Sequence, residues 1–144
     1  MNSFKLFRMS LLTFLLTFIF IPVSGCQGPR KYSVPEPIKN FRGIVGGRVK
    51  NKQKKGFVLE LKKVHERWSS QGNPKKITGD VLFIQPKWIQ NGEGQWKPKP
   101  LHMAWIRSLG IGDWVSVSIQ VNQTKSVHLI NLTPPQKRQA QQYL

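Results

Sequence analysis

The sequence predicts a small, mostly β domain that carries one short helix, and three observations support this fold class. Apolar and polar residues alternate with the two-residue period of a strand, most clearly from Trp114 to Val121. Only one segment, beginning near Pro100, has the spacing of an amphipathic helix. The 144 residues include a single cysteine, so no internal disulfide can form and packing alone must stabilise the domain.

Three strands are predicted before the helix. Phe41–Val49 is expected to pair with a strand that begins at Phe57, and the alternation of that second strand slips before Val64, as a bulge requires. Between the two strands, Lys50–Gly56 contains four lysines and is expected to be a basic loop. The third strand is the continuous apolar run Val81–Ile84, which is typical of a central strand.

The helix and a terminal hairpin complete the predicted domain. Pro100 suits the first helical position and Gly110 suits the end of the helix. The apolar residues between them have helical spacing: Leu101, Ala104, Trp105 and Leu109. Trp114–Val121 and Val127–Leu132 are then expected to pair as two strands, through a turn at Asn122–Lys125.

The predicted order is therefore three strands, one helix and two strands. This order is similar to that of the OB-fold, a five-stranded Greek-key barrel with a helix between strands three and four. The resemblance depends on element order and on no sequence motif. It implies a small OB-like barrel, in which the face of strands two and three and the first loop commonly contact oligonucleotides or oligosaccharides.

The amino terminus is expected to be an export signal. Lys5 and Arg8 supply a positive segment, and Leu11–Val23 is an almost uninterrupted apolar run of suitable length. The alternative is an uncut membrane helix. Such a helix would have to start near Met9 to approach the length of about 20 apolar residues that is needed to cross a bilayer.

The residues that follow favour the export signal. Val23, Ser24, Gly25 and Cys26 form an aliphatic residue, two small residues and a cysteine, a pattern that resembles the lipobox of bacterial lipoprotein precursors. The resemblance implies lipidation of the Cys26 thiol by fatty acyl chains, cleavage before Cys26, and anchoring in a membrane of the bacterial cell envelope. Gln27 is not the aspartate associated with inner-membrane retention, so an outer-membrane location is implied where two membranes exist.

Four segments are therefore expected along the chain. Residues 1–25 form the signal peptide, and residues 26–40 form a proline-rich tether. Residues 41–133 form the barrel domain. Residues 134–144 form a polar, glutamine-rich tail that is either frayed or a short surface helix.

The charge of the chain indicates the chemistry of its partners. The sequence contains 23 Lys and Arg residues against 6 Asp and Glu residues, a net charge of +17. The predicted signal peptide holds only two of these basic residues, Lys5 and Arg8, and no acidic residue, so the mature part keeps +15. Such a charge attracts anionic lipid, polysaccharide or nucleic acid, and an envelope protein partner is a further alternative.

Catalytic and metal-binding groups are sparse. The six acidic residues lie on separate predicted elements, and the three histidines show no metal-ligand spacing. No nucleophile-elbow or phosphate-cradling glycine motif is present. The sequence therefore predicts a protein that is not an enzyme and that holds no metal or cofactor.

Basic residues interleaved with aromatic residues form the candidate ligand-binding set. Charge pairing with a polymer backbone and stacking on flat rings are the means by which OB-folds hold such ligands. The set comprises Lys52, Lys54, Lys55, Arg67, Trp68, Lys87, Trp88 and Trp96. Trp105 and Trp114 are instead expected in the core, and the simpler interpretation of the lysines is a solvated surface.

Three function classes are compatible with the sequence. The first is a non-enzymatic, lipid-anchored envelope module that binds an anionic partner or supports an assembly. The second is binding of single-stranded nucleic acid or oligosaccharide at the cell surface. The third is an enzyme whose catalytic groups converge only in the folded state.

Overall fold

Five strands close into a barrel, and a short hairpin and two helices are added to it. The computed structural model describes residues 32–122 and 126–144. Within these residues the strands are β1 (Arg42–Gln53), β2 (Gly56–Arg67), β3 (Val81–Gln85), β4 (Trp88–Gln90), β5 (Trp96–Pro98), β6 (Trp114–Val121) and β7 (Val127–Leu129). The α-helices are α1 (Pro100–Ser108) and α2 (Pro134–Gln141), and two 3-10 turns cover Glu36–Ile38 and Pro74–Ile77.

The barrel has the strand order β1-β2-β3-β7-β6, with β6 paired back to β1. All neighbours are antiparallel except β3 and β7, which run parallel with Ile84 opposite Val127. Because α1 lies between the third and fourth barrel strands, the predicted small OB-like barrel is confirmed. The predicted turn at Asn122–Lys125 lies largely outside the described residues.

The first hairpin is longer than predicted. β1 continues to Gln53 and β2 begins at Gly56, so Lys50–Gly56 is not a loop, and only Lys54 and Lys55 form the turn. The lysines on the strand portion lie in exposed positions, where a long charged side chain is solvated without breaking the strand pairing. The predicted irregularity before Val64 is confirmed, because the register of the two strands shifts between Gly46 and Gly47.

The core is formed by inward positions of the barrel and by α1. Val115, Val117, Ile119 and Val121 of β6 are buried, as their alternation predicts. Trp105 of α1 is also buried, and its ring meets that of Phe57 edge to face, with 5.6 Å between ring centroids.

Both ends of the described chain join this core. Ile38 is fully buried and Val34 packs against the core, so the predicted tether cannot extend to residue 40. At the other end, the polar tail forms helix α2 rather than a frayed segment, and its Ala140 is fully buried. Residues 32–144 make up one unit that contains the whole described core. No helix in the described ranges is both long enough and apolar enough to cross a membrane.

Candidate functional site

A cleft of about 330 Å³ lies between the small β4–β5 hairpin and the outer wall of the barrel. It brings together three members of the predicted ligand-binding set: Lys87, Trp88 and Trp96. The other residues that line it are Arg42, Gln120, Asn122, His128, Leu129 and Ile130. Because two tryptophans and two cations converge here, this cleft is the candidate functional site.

The hairpin places both tryptophans on the same side. Trp88 is opposite Pro98 and Gln90 is opposite Trp96, so Trp88 and Trp96 are diagonal neighbours on one face of the two-stranded sheet. The turn between them is closed by Asn91, whose Oδ1 accepts hydrogen bonds from the backbone of Glu93 at 3.0 Å and Gln95 at 2.8 Å. Trp96 remains 65% exposed, which leaves its ring available to a ligand.

The opposite wall of the cleft is a row of polar side chains that crosses three strands. Arg42 of β1 pairs with Gln120 of β6, and Gln120 pairs with His128 of β7. Residues that are paired across a sheet point to the same face, so these three side chains line up on the outside of the barrel. The row supplies a guanidinium, an amide and an imidazole to one surface.

The peptide bond between Pro86 and Lys87, just before the hairpin, is hydrogen-bonded on both sides. The backbone N–H of Lys87 donates to Nδ1 of His102 at 3.0 Å. The carbonyl of Pro86, in the same peptide bond, accepts from Nδ1 of His128 at 3.2 Å. Burial, together with the positive charges of Lys99 and Lys87, lowers the pKa of His102 to about 4. His102 is therefore neutral at physiological pH, as a hydrogen-bond acceptor must be.

The electrostatic character of the cleft is cationic. None of the described residues that line it is acidic, whereas Arg42 and Lys87 each bring a full positive charge. Tryptophan and arginine together can stack on a flat or apolar ligand face, while the cations pair with carboxylate, sulfate or phosphate. The amides of Gln120 and Asn122 can donate to or accept from hydroxyl groups. The cleft is thus suited to a ligand that combines acidic groups with hydroxyl groups.

Arg67 and Trp68 lie beside the cleft. The guanidinium of Arg42 stands over the Trp68 ring at 6.0 Å, and the Trp68 backbone N–H donates to the Arg42 carbonyl at 2.8 Å. The Trp68 indole N–H donates to Glu66 at 2.8 Å, and the Arg67 guanidinium donates to the carbonyl of Ser70 at 3.2 Å. Trp68 therefore extends the aromatic surface past Arg42, although Glu66 adds a negative charge there.

The remaining members of the predicted set are not part of this site. Lys52 donates from Nζ to the carbonyl of Arg107 at 3.0 Å, where it caps the last turn of α1. Lys54 and Lys55 are exposed in the β1–β2 turn. The prediction that Trp114 lies in the core is wrong: it is 49% exposed, because the alternation that buries Val115 turns Trp114 outward.

Arg42, Gln120, Asn122 and His128 were not in the predicted set. Gln120 and His128 are polar residues between buried neighbours of a strand, which marks them as outward-facing in the sequence. That they share one row with Arg42 depends on strand register, which the sequence does not specify. Within the described part of the chain, no three His, Cys, Asp or Glu side chains converge as a metal site. Cys26 and the lipobox lie outside the described residues.

Comparison with known proteins yields no match to this chain among family models, curated proteins or solved structures. The chemistry of the cleft and the amino-terminal sequence are therefore the observations that bear on function.

Proposed function

We propose that this protein is a lipid-anchored, non-enzymatic module of the bacterial cell envelope that binds an acidic polysaccharide in the Trp88–Trp96 cleft. The observation that carries the proposal is the convergence of two tryptophans, Arg42 and Lys87 in a cleft whose described lining residues include no acidic side chain. Aromatic side chains offer an apolar face to a sugar ring, and the two cations offer charge pairing to its acidic groups.

The anchoring part of the proposal is supported by the lipobox pattern that ends at Cys26. Five residues, from Gln27 to Lys31, separate this cysteine from Tyr32. Tyr32 is already packed on the domain, where its ring stacks on Phe83 with 5.7 Å between centroids. Five fully extended residues with their flanking bonds span only about 20 Å. A lipidated Cys26 would therefore hold the barrel close to the bilayer surface.

Two features favour a polysaccharide over single-stranded nucleic acid as the ligand. The cleft offers neutral amides beside its cations, and these suit the hydroxyl groups of a sugar. An export signal and a lipid anchor would also place the domain where acidic envelope polysaccharides are abundant. Nucleic acid remains the competing ligand, because phosphates pair with Lys and Arg and bases stack on tryptophan.

A binding titration tests the ligand. The probes are oligogalacturonate, an uncharged oligosaccharide of similar length and single-stranded DNA, added to mature protein that carries Cys26→Ser. We expect oligogalacturonate to bind more tightly than either other probe. Trp96→Ala should weaken that binding by about tenfold, the effect of losing one stacking contact. The matched control is Trp114→Ala, which removes an exposed tryptophan outside the cleft. Preference for DNA would show that the ligand is nucleic acid and not polysaccharide. Equal effects of the two variants would show that the cleft is not the binding site.

Intact-mass measurement tests the anchor. Protein purified from membranes of the native bacterium should lack its first 25 residues and carry the mass of fatty acyl chains on Cys26. The Cys26→Ser variant should carry no acyl mass. A wild-type protein that keeps residues 1–25 and an unmodified thiol would refute lipid anchoring.

A further inference from the structure

A loop between α1 and β6 presents a large apolar side chain to solvent. Ile111 is 70% exposed, the highest value for any large hydrophobic residue in the described ranges. Three residues later, Trp114 begins β6 and is also half-exposed. Single exposed apolar residues are common on protein surfaces, so the surroundings of this pair decide whether it has a role.

The loop is held in place by the barrel. Val49 of β1 makes two backbone hydrogen bonds with it: Gly112 N–H donates to the Val49 carbonyl at 2.7 Å, and Val49 N–H donates to the Asp113 carbonyl at 2.9 Å. The Asp113 carboxylate accepts from the Gly110 N–H at 2.7 Å, which closes the turn. Because these bonds fix the backbone on either side of Ile111, the side chain is presented to solvent at a defined position.

The pair is flanked by positive charges. The Arg48 guanidinium stands 5.8 Å from the centre of the Trp114 ring and donates to the Gly112 carbonyl at 3.0 Å. The Lys52 ammonium donates to the backbone carbonyl of Arg107 at 3.0 Å, which places its charge at the end of α1, four residues before Ile111 in the chain. The acidic residue of the loop, Asp113, has its carboxylate engaged with the Gly110 backbone.

This combination fits one kind of partner. Apolar and tryptophan side chains with lysine and arginine beside them are typical of surfaces that enter the boundary of an anionic bilayer. A two-fold contact through this surface would bring two copies of the cationic patch formed by Arg48 and Lys52 together, and like charges repel. We infer that Ile111 and Trp114 form a membrane-contact surface that inserts into an anionic lipid bilayer, with the flanking cations on its headgroups.

The inference does not depend on the ligand of the cleft, and it can be tested without the acyl chains. The protein is the mature chain with Cys26→Ser, which contains the whole described core. Its binding to vesicles of phosphatidylglycerol and phosphatidylethanolamine is measured by co-sedimentation, beside vesicles of phosphatidylcholine. Ile111→Ser should weaken binding to the phosphatidylglycerol vesicles by about tenfold, as expected when one buried aliphatic side chain is lost. For the wild type and the variants alike, binding to the phosphatidylcholine vesicles should be much weaker than binding to the phosphatidylglycerol vesicles.

The matched control is Ile89→Ser, which removes an exposed isoleucine on the β4–β5 hairpin and changes no charge. Binding of this variant to the phosphatidylglycerol vesicles should stay within about twofold of the wild type, because a lone exposed apolar residue carries no special role. Vesicles with bromine-labelled acyl chains should quench fluorescence in the wild type, and Trp114→Phe should remove most of that quenching. Wild-type binding that is absent or equal on both vesicles, equal effects of the two serine variants, or unchanged quenching in Trp114→Phe would overturn the inference. Failure of the cleft to bind oligogalacturonate would leave these results unaffected.

Discussion

His102 and His128 hold opposite sides of the same peptide bond. His102 of α1 accepts the Lys87 N–H at 3.0 Å, and His128 of β7 donates to the Pro86 carbonyl at 3.2 Å. The two histidines come from different elements, so this peptide is fixed relative to both the helix and the barrel. The β4–β5 hairpin begins at the next residue, Trp88. The orientation of the cleft therefore depends on two imidazoles, of which one lines the cleft.

The stability of the domain should fall between pH 6.5 and pH 4 in a manner that depends on His102. The pKa of its imidazole is about 4 in the folded protein and about 6.5 when unfolded, so the unfolded chain binds the extra proton in this range. The contribution of this group to stability is complete above pH 6.5 and is lost as the pH falls to 4. A difference of about 2.5 between these pKa values corresponds to a full contribution on the order of 3 kcal/mol.

Urea unfolding at pH 7 and pH 4 measures this contribution. The neutral variant His102→Gln should be less stable than the wild type at pH 7, and it should lose less stability on acidification. Carboxylates also titrate in this range, but they contribute to both proteins and cancel in the comparison. An identical pH dependence of the two proteins would show that His102 is not the titrating group.

Substitution of Gly47 should strongly destabilise the barrel. A Cβ atom built there would stand 2.0 Å from the Glu60 carbonyl oxygen of the paired strand, which is backbone and cannot rotate away. Gly47→Ala is therefore expected to cost at least about 2 kcal/mol in the free energy of unfolding. The matched control is Gly92→Ala, because a Cβ there meets no atom within 4 Å. Thermal or urea unfolding of the two variants compares them, and similar stabilities would contradict the close approach of β1 and β2.

Gln136 should contribute to the attachment of α2. Its Oε1 accepts the Thr133 N–H at 2.9 Å within a capping box, and its Nε2 donates to the Ser116 carbonyl at 2.8 Å. Gln136→Ala removes both bonds and should cost about 1 to 2 kcal/mol in the free energy of unfolding. Gln139→Ala, an exposed site on the same helix, should change stability by less than about 0.5 kcal/mol. Equal values for the two variants in urea unfolding would rule out this role.

Much of the fold was predictable because its signals are local. The alternation of β6 depends only on which residues face inward, and the spacing between Pro100 and Gly110 defines α1 without knowledge of the rest of the chain. The order of these elements then matches a barrel. The same alternation also places Trp114 outward, so the sequence itself contains the signal for its exposure, and the prediction of a buried Trp114 is wrong.

The parts that were not predicted depend on long-range geometry. β4 and β5 have three residues each and stand among prolines and glycines, which resembles loop sequence. The charges of Lys50 and Lys52 favour a loop in the sequence, whereas in the structure both lie in β1, whose exposed positions solvate lysine equally well. The cleft itself joins residues 42, 88 and 120: strand pairing brings 42 and 120 together, and the packing of the β4–β5 hairpin on the barrel brings 88 to them.

The most direct test of the proposed cleft follows the five indole N–H signals of the protein by NMR during addition of oligogalacturonate. Each signal is assigned with a Trp→Phe variant. We expect the signals of Trp88 and Trp96 to shift together in a saturable manner, while those of buried Trp105 and of Trp114 stay in place. A titration that moves only Trp114, or that saturates without moving Trp88 and Trp96, would contradict the assignment of the binding site.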